Sequence, residues 1–184
     1  MGLFDFLTGK DKKLEGPDPL HDLILEKLQV GYLVDYDLKT WTVTERHRYD
    51  LDGDRTDEWE LQAGDEVRYL ERSEEDEVEW AFSRKIPIGA IEGDMRRHII
   101  DHEDPPAQIV YKGKTYYLDC SGPGYFYKDG KGSAEEFIYW EFIDEEDKNF
   151  VSIEQWGETD FEAAVGQWVE EYQFSDILPG SPAD

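Results

Sequence analysis

From Val30 onward the apolar residues recur at every second position, the period of a strand with one buried face. Trp41 and Val43 alternate with threonine and charge in TWTVTERHRY, and Trp59 and Leu61 do so in DEWEL. Val67 and Tyr69, then Val78, Trp80 and Phe82, continue the pattern. Turn formers separate these runs. Asp52-Gly53 is a dipeptide suited to a tight hairpin, because both residues tolerate positive φ, and Ala63-Gly64-Asp65 marks a second turn. The stretch EGDMRRHIIDHEDPP breaks the alternation and reads as a joint. Strands then resume in QIVYKGKTYYL around Lys112-Gly113, in FIYWEF after Asp129-Gly130, and in VSIEQW. FEAAVGQWVEEYQF fits either a short helix or a strand pair.

The two halves resemble each other. The order TWTV, DG, WEL, VRYLE is followed by TYYL, DG, WEF, FVSIE. The interval from Trp59 to Glu71 is 12 residues (71 − 59), and that from Trp140 to Glu154 is 14 (154 − 140). The predicted fold is mainly β, a β-rich α+β chain. It has two related antiparallel β-meanders packed as a sandwich or partly open barrels, each burying its apolar face against the other. Short N-terminal helices precede them. Residues 1–18 form an amphipathic segment and linker, residues 19–104 a helix with the first meander and the joint, and residues 105–184 the second meander and tail. The helix is expected to run from Pro19, capped by Asp18, through LHDLILEKLQ, with Leu20, Leu23, Ile24 and Leu28 on one face.

Charge sharpens this picture. Asp and Glu number 45 against 19 Lys and Arg, a net charge of −26. Such a surface repels phosphate backbones, so no nucleic-acid partner is expected. The acidity fits a well-solvated surface or the capture of a basic protein. No run of eighteen apolar residues occurs, and Cys120 is the single cysteine, which excludes an internal disulfide and a cysteine-based zinc site. Cys120 reads as a small half-buried residue. The expected location is cytoplasmic, at the inner face of the membrane.

Candidate chemistry is sparse. Asp50, Asp52 and Asp54 match the first positions of a calcium loop, but Arg55 and Leu61 stand where glycine and glutamate are required, so the stretch reads as a hairpin tip. His98 and His102 sit four apart and are the metal candidates, two donors where a tetrahedral site needs four. Gly130-Lys131-Gly132-Ser133 lacks the spacing of a phosphate loop. With 45 carboxylates, no pair can be singled out for acid–base work. No catalytic residue and no cofactor is assigned, and the chain is read as a non-enzyme. Trp41, Trp59, Trp140 and Trp156 are candidates for a ligand groove, although strand spacing favours a core role. The N-terminal MGLFDFLTGKDKK places Leu3, Phe4, Phe6 and Leu7 beside Lys10, Lys12 and Lys13, the composition of an interfacial anchor for membrane or partner contact.

The segment from FIYWEFIDEEDKNFVSIEQW to VEEYQFSDILPG, with Val30-Gly31-Tyr32, TWTVTERHRY, DG and WEL before it, resembles the bacterial domain of unknown function 4178 family over about residues 28–178. The resemblance implies no catalytic residues. It implies a setting beside phage-shock-type membrane-remodelling proteins, small integral membrane proteins and polyamine-synthase-like enzymes, and so an envelope-stress role. The leading expectation is a non-enzymatic adaptor attached peripherally to the inner membrane or to a membrane partner, such as a membrane-remodelling or small integral membrane protein. The alternative is a small-molecule or cation-binding β-domain, with a degenerate enzyme as one form of it. A filled core under a flat acidic face favours the first, and a deep cavity with perturbed acids favours the second.

Overall fold

The computed structural model describes residues 23–74 and 77–180. Eleven antiparallel strands form one sheet. The first five are β1 (Leu33–Tyr36), β2 (Lys39–Leu51), β3 (Asp54–Ala63), β4 (Glu66–Glu74) and β5 (Val78–Ile86). A helix, α1 (Met95–His102), leads to β6 (Gln108–Tyr111), β7 (Lys114–Tyr127), β8 (Glu135–Asp144), β9 (Asn149–Gln155) and β10 (Phe161–Val169), and β11 (Ser175–Leu178) closes the order. The mainly β architecture read from the alternation is what forms.

The repeat is visible in the topology. Each half opens with a short strand paired to a long one, β1 with β2 and β6 with β7, and three further hairpins follow. Trp59 and Trp140 occupy equivalent places. The residue before each tryptophan lies opposite a glutamate, Glu58 opposite Glu71 and Tyr139 opposite Glu154. The unequal intervals come from the turns, since residues 64–65 join β3 to β4 whereas residues 145–148 join β8 to β9. Both long strands carry a register shift, between Val43 and Glu45 and between Leu118 and Cys120. A bulge re-aims the strand beyond it, and beyond these bulges the two long strands meet, Arg48–Leu51 pairing with Gly124–Tyr127. With β5 paired to β10, this contact joins β2, β3, β4, β5, β10, β9, β8 and β7 into a partly closed ring.

The partly open ring is one of the two packings expected, and in it the apolar faces are turned outward. Its apolar faces do not meet. They point outward into two separate cores, and the polar faces look at each other across the middle. One core gathers Trp41, Val43, Trp59, Leu61, Leu70, Trp80 and Phe82 beneath Leu25, Leu28, Val34, Tyr36 and Phe174. The other gathers Trp140, Phe142, Val151, Ile153 and Phe161 beneath Ile88, Met95, Ile99 and Ile109. The indoles fasten these covers. Trp59 Nε1–H donates to the Leu28 carbonyl at 2.9 Å, and Trp140 Nε1–H donates to Asp104 Oδ1 at 3.2 Å.

Three local expectations are corrected. Within the described residues the N-terminal helix is one 3-10 turn, Leu25–Lys27, and residues 18–22 lie outside them. Leu25 and Leu28 both reach the core, and the extended backbone at Leu28 turns its carbonyl toward Trp59. The joint is not a plain connector, because α1 buries Met95 and Ile99, four apart on one face. FEAAVGQWV is a single strand and EYQ a 3-10 turn.

Ring closure leaves no room at Gly124, where a Cβ would stand 2.3 Å from Phe137 Cζ on the paired strand. Gly124→Ala is expected to displace Phe137 and loosen the β2–β7 ladder, lowering stability by about 1–3 kcal/mol in denaturant unfolding. An unchanged midpoint would show that the ladder tolerates the methyl group.

Candidate functional site

The inward-facing residues enclose a cavity of about 190 Å³. Six glutamates line it, Glu79 from β5 and Glu162 from β10 besides the four that matter most: Glu58 from β3, Glu71 from β4, Glu141 from β8 and Glu154 from β9. Tyr49, Tyr69, Tyr139, Phe150 and Trp168 supply aromatic walls, and Ser83 and Ser152 supply hydroxyls. Strand alternation explains the composition. In DEWEL the odd positions, Trp59 and Leu61, go to the outer core, so Glu58 and Glu60 go to the other face.

Glu58 carries most information. It is 7% exposed, lines the cavity, lies directly between His47 and Glu71 on the neighbouring strands, and accepts no hydrogen bond from any described residue. Burial first, and then the charges of Glu71 and Glu154, hold its carboxyl well above the ordinary range. Glu71 accepts a hydrogen bond from Ser83 Oγ at 3.3 Å, yet burial and the nearby Glu141 and Glu154 push it up to about 8. Burial likewise raises Glu154 to about 7, with Glu162 adding to the effect, although Trp156 Nε1–H donates to it at 3.2 Å. Burial and then Asp119 raise Glu141 to about 7. The last three retain some exposure, but as cavity-lining groups they spend it on the cavity.

One ammonium reaches this acidic wall, and it is already engaged: Lys85 Nζ pairs with Glu162 Oε2 at 2.5 Å. Lys85 also stands 5.3 Å from the Tyr69 ring centroid. The four glutamates do not converge on one point. Among the described residues, the one group of three donors close enough to share an ion is Asp119, Cys120 and Glu141 at the cavity edge, all within 4.8 Å of one another. The arrangement suits a ligand with charge spread along it better than a bare ion.

The candidates from the sequence fall elsewhere, with one exception. Trp41, Trp59 and Trp140 are packed in the outer cores, away from any groove. Trp156 faces inward, stacked on Phe137 at 4.5 Å and bonded to Glu154. His98 and His102 stack at 4.3 Å on α1, and His102 Nδ1 lies 2.9 Å from the His98 carbonyl oxygen, with no third donor near enough among the described residues to complete a site. Cys120 is exposed rather than half-buried, because the β7 bulge lifts it to the cavity edge. Asp50 Oδ1 accepts from the Gly53 N–H at 2.9 Å, as a hairpin tip requires, with Asp52 and Gly53 both at positive φ. Leu3, Phe4, Phe6, Leu7, Lys10, Lys12 and Lys13 lie outside the described residues. Sequence reasoning singled out none of the cavity glutamates, the four central ones included. Their signal was the repeat itself, since Glu71 and Glu154 are the equivalent residues that end its measured intervals.

Comparison with known proteins agrees with the repeat-bearing span. Residues 29–171 match the model of the domain of unknown function DUF4178. The chain belongs to this family. A protein of Aquifex aeolicus (strain VF5), described as uncharacterized, is 30% identical over 155 residues, covering 84% of this chain and 85% of that one. No solved structure matches significantly. No helix among the described residues is long and apolar enough to cross a membrane.

The raised acids fix a sign for the dependence of stability on pH. In the unfolded chain these glutamates ionise near 4.5, whereas in the fold they hold protons to about 7 or 8. The folded state therefore binds more protons across that interval, and stability falls as pH rises through it. The melting temperature is expected to drop between pH 5 and pH 8. Glu71→Gln should flatten that slope and raise stability at pH 8 by about 1–3 kcal/mol, allowing for water in the cavity. A slope identical in wild type and variant would remove Glu71 from the account.

Proposed function

We propose that this protein is a non-catalytic binding module that takes a small organic cation of the ammonium class into the ring. The observation that carries the reading is Glu58, a buried acid with no hydrogen-bond partner among the described residues, facing a cavity whose lining ammonium, Lys85, is taken up by Glu162. An ammonium ligand would supply the missing donors and charge, and the tyrosine and tryptophan faces would attract it further. Aromatic walls and spaced carboxylates favour such a ligand over a bare metal ion.

Titration calorimetry of the full chain with butane-1,4-diammonium, tetramethylammonium and calcium is the test. One of the two ammonium probes should bind more tightly than calcium. The double change Glu58→Gln, Glu71→Gln should weaken that binding at least tenfold while leaving the circular dichroism intact. Absence of heat with both ammonium probes, or binding unaffected by the double change, overturns the reading.

Attachment to membrane is a second proposal. It rests on Leu3, Phe4, Phe6 and Leu7 beside three lysines, each worth about 1 kcal/mol against anionic lipid. The full chain should float with anionic liposomes at low salt, and a chain lacking residues 1–13 should not. Equal behaviour of the two would dispose of the anchor, and with it this route to an envelope-stress adaptor.

A further inference from the structure

Resting on the reading of the cavity as an ammonium site, we infer that binding is an exchange, in which the cation enters as the ring's glutamates give up protons to solvent. The geometry demands a proton somewhere in the empty cavity. Glu58 and Glu71 lie directly opposite each other on adjacent strands, where like charges repel. Glu154 and Glu141 face them from the other half, and these two belong to the adjacent strands β9 and β8. The groups that could neutralise them are few. From β2 come His47, already contacted by Glu45 and by the Asp129 N–H, and the phenol of Tyr49. From β3 and β4 come Asp54, Glu60 and Tyr69, and from β5 Glu79 and Lys85. From β7 come Asp119 and Cys120, from β8 Tyr139, and from β10 Glu162.

Among these, Lys85 is the one fixed positive charge, and Glu162 holds it. A buried carboxylate without a counter-ion stays neutral by keeping its proton. When an ammonium group arrives, the carboxylate beside it becomes the better partner in its ionised form. The proton leaves to bulk water, and the net charge of the filled cavity differs little from that of the empty one. The upward shifts of Glu58, Glu71, Glu141 and Glu154 agree with this account.

Exchange differs from simple ion pairing in one measurable way. Affinity should rise with pH through the range where the acids titrate, by about tenfold per pH unit for each proton released. Calorimetry of the full chain with butane-1,4-diammonium at pH 6.0, 7.0 and 8.0 tests it, because the probe keeps both its protons throughout, its amines titrating near 10 as lysine does. The titrations are run in phosphate and in MOPS, whose ionisation enthalpies differ. The expected result is a buffer-dependent enthalpy equivalent to the release of one to two protons at pH 6.0, smaller at pH 8.0. Glu71→Gln should reduce the release by about one proton. Binding with an enthalpy independent of buffer and an affinity flat from pH 6.0 to 8.0 overturns the exchange while leaving the ammonium site standing. Absence of binding at all three pH values in both buffers removes the site itself.

Discussion

Four paired residues on each of two strands decide which side of this sheet is inside. The ladder of Arg48–Leu51 with Gly124–Tyr127 closes the ring, and closure takes the polar face out of bulk water. Without it Glu58 and Glu71 would be ordinary surface acids of a strongly acidic chain. With it they face Glu141 and Glu154 across a space of about 190 Å³, where burial rather than sequence sets their protonation. The bulges in β2 and β7 re-aim the strands before they meet, and the missing side chain at Gly124 leaves room for Phe137 of β8 beside the closing ladder.

Turning the polar face inward has a cost on the other side. Both outward apolar faces need covers, and the chain makes them from short pieces: a 3-10 turn with β1 and β11 over one half, and α1 with β6 over the other. None of these is long enough to be stable alone. They hold because indole N–H groups of the sheet bond to them from within the core. Stability therefore resides in the two outer cores, and the cavity draws on it, as sites lined with unpaired polar groups do. Because of this separation, changes to the cavity residues are expected to leave the apolar packing in place.

Alternation in the sequence identified which residues share a face, and the structure keeps those sets intact. Trp59 goes with Leu61, Trp80 with Phe82, and Trp140 with Phe142. Period two is silent about which face is solvated, because a lumen and a surface both accept glutamate. A polar face can be assigned to a lumen only when a distant pairing is known, and Leu51 and Gly124 are 73 residues apart (124 − 51). The repeat was legible, since its markers Trp59, Trp140, Glu71 and Glu154 fall at equivalent points. Its consequence for the site was not, because composition hid four glutamates among 45 acids. For the tryptophans the strand spacing that favoured a core role over a groove holds for three of the four candidates, Trp41, Trp59 and Trp140, whose indoles bond to the segments covering each core.

The acidity of the whole chain and the acidity of its cavity act over different distances. Surface carboxylates make a field that attracts any cation, but salt screens it beyond about 8–10 Å. That field raises the rate of encounter and discriminates poorly. The cavity acids are mostly neutral when empty and contribute little to attraction at a distance. They act only on a cation already inside, through hydrogen bonds and through protons that must leave. In the proposed reading the surface therefore gathers cations without choosing among them, and the ring selects by charge spacing, aromatic contact and the ease with which its glutamates can be made to ionise. A net charge of −26 is on this view a property of the approach, and Glu58 a property of the choice.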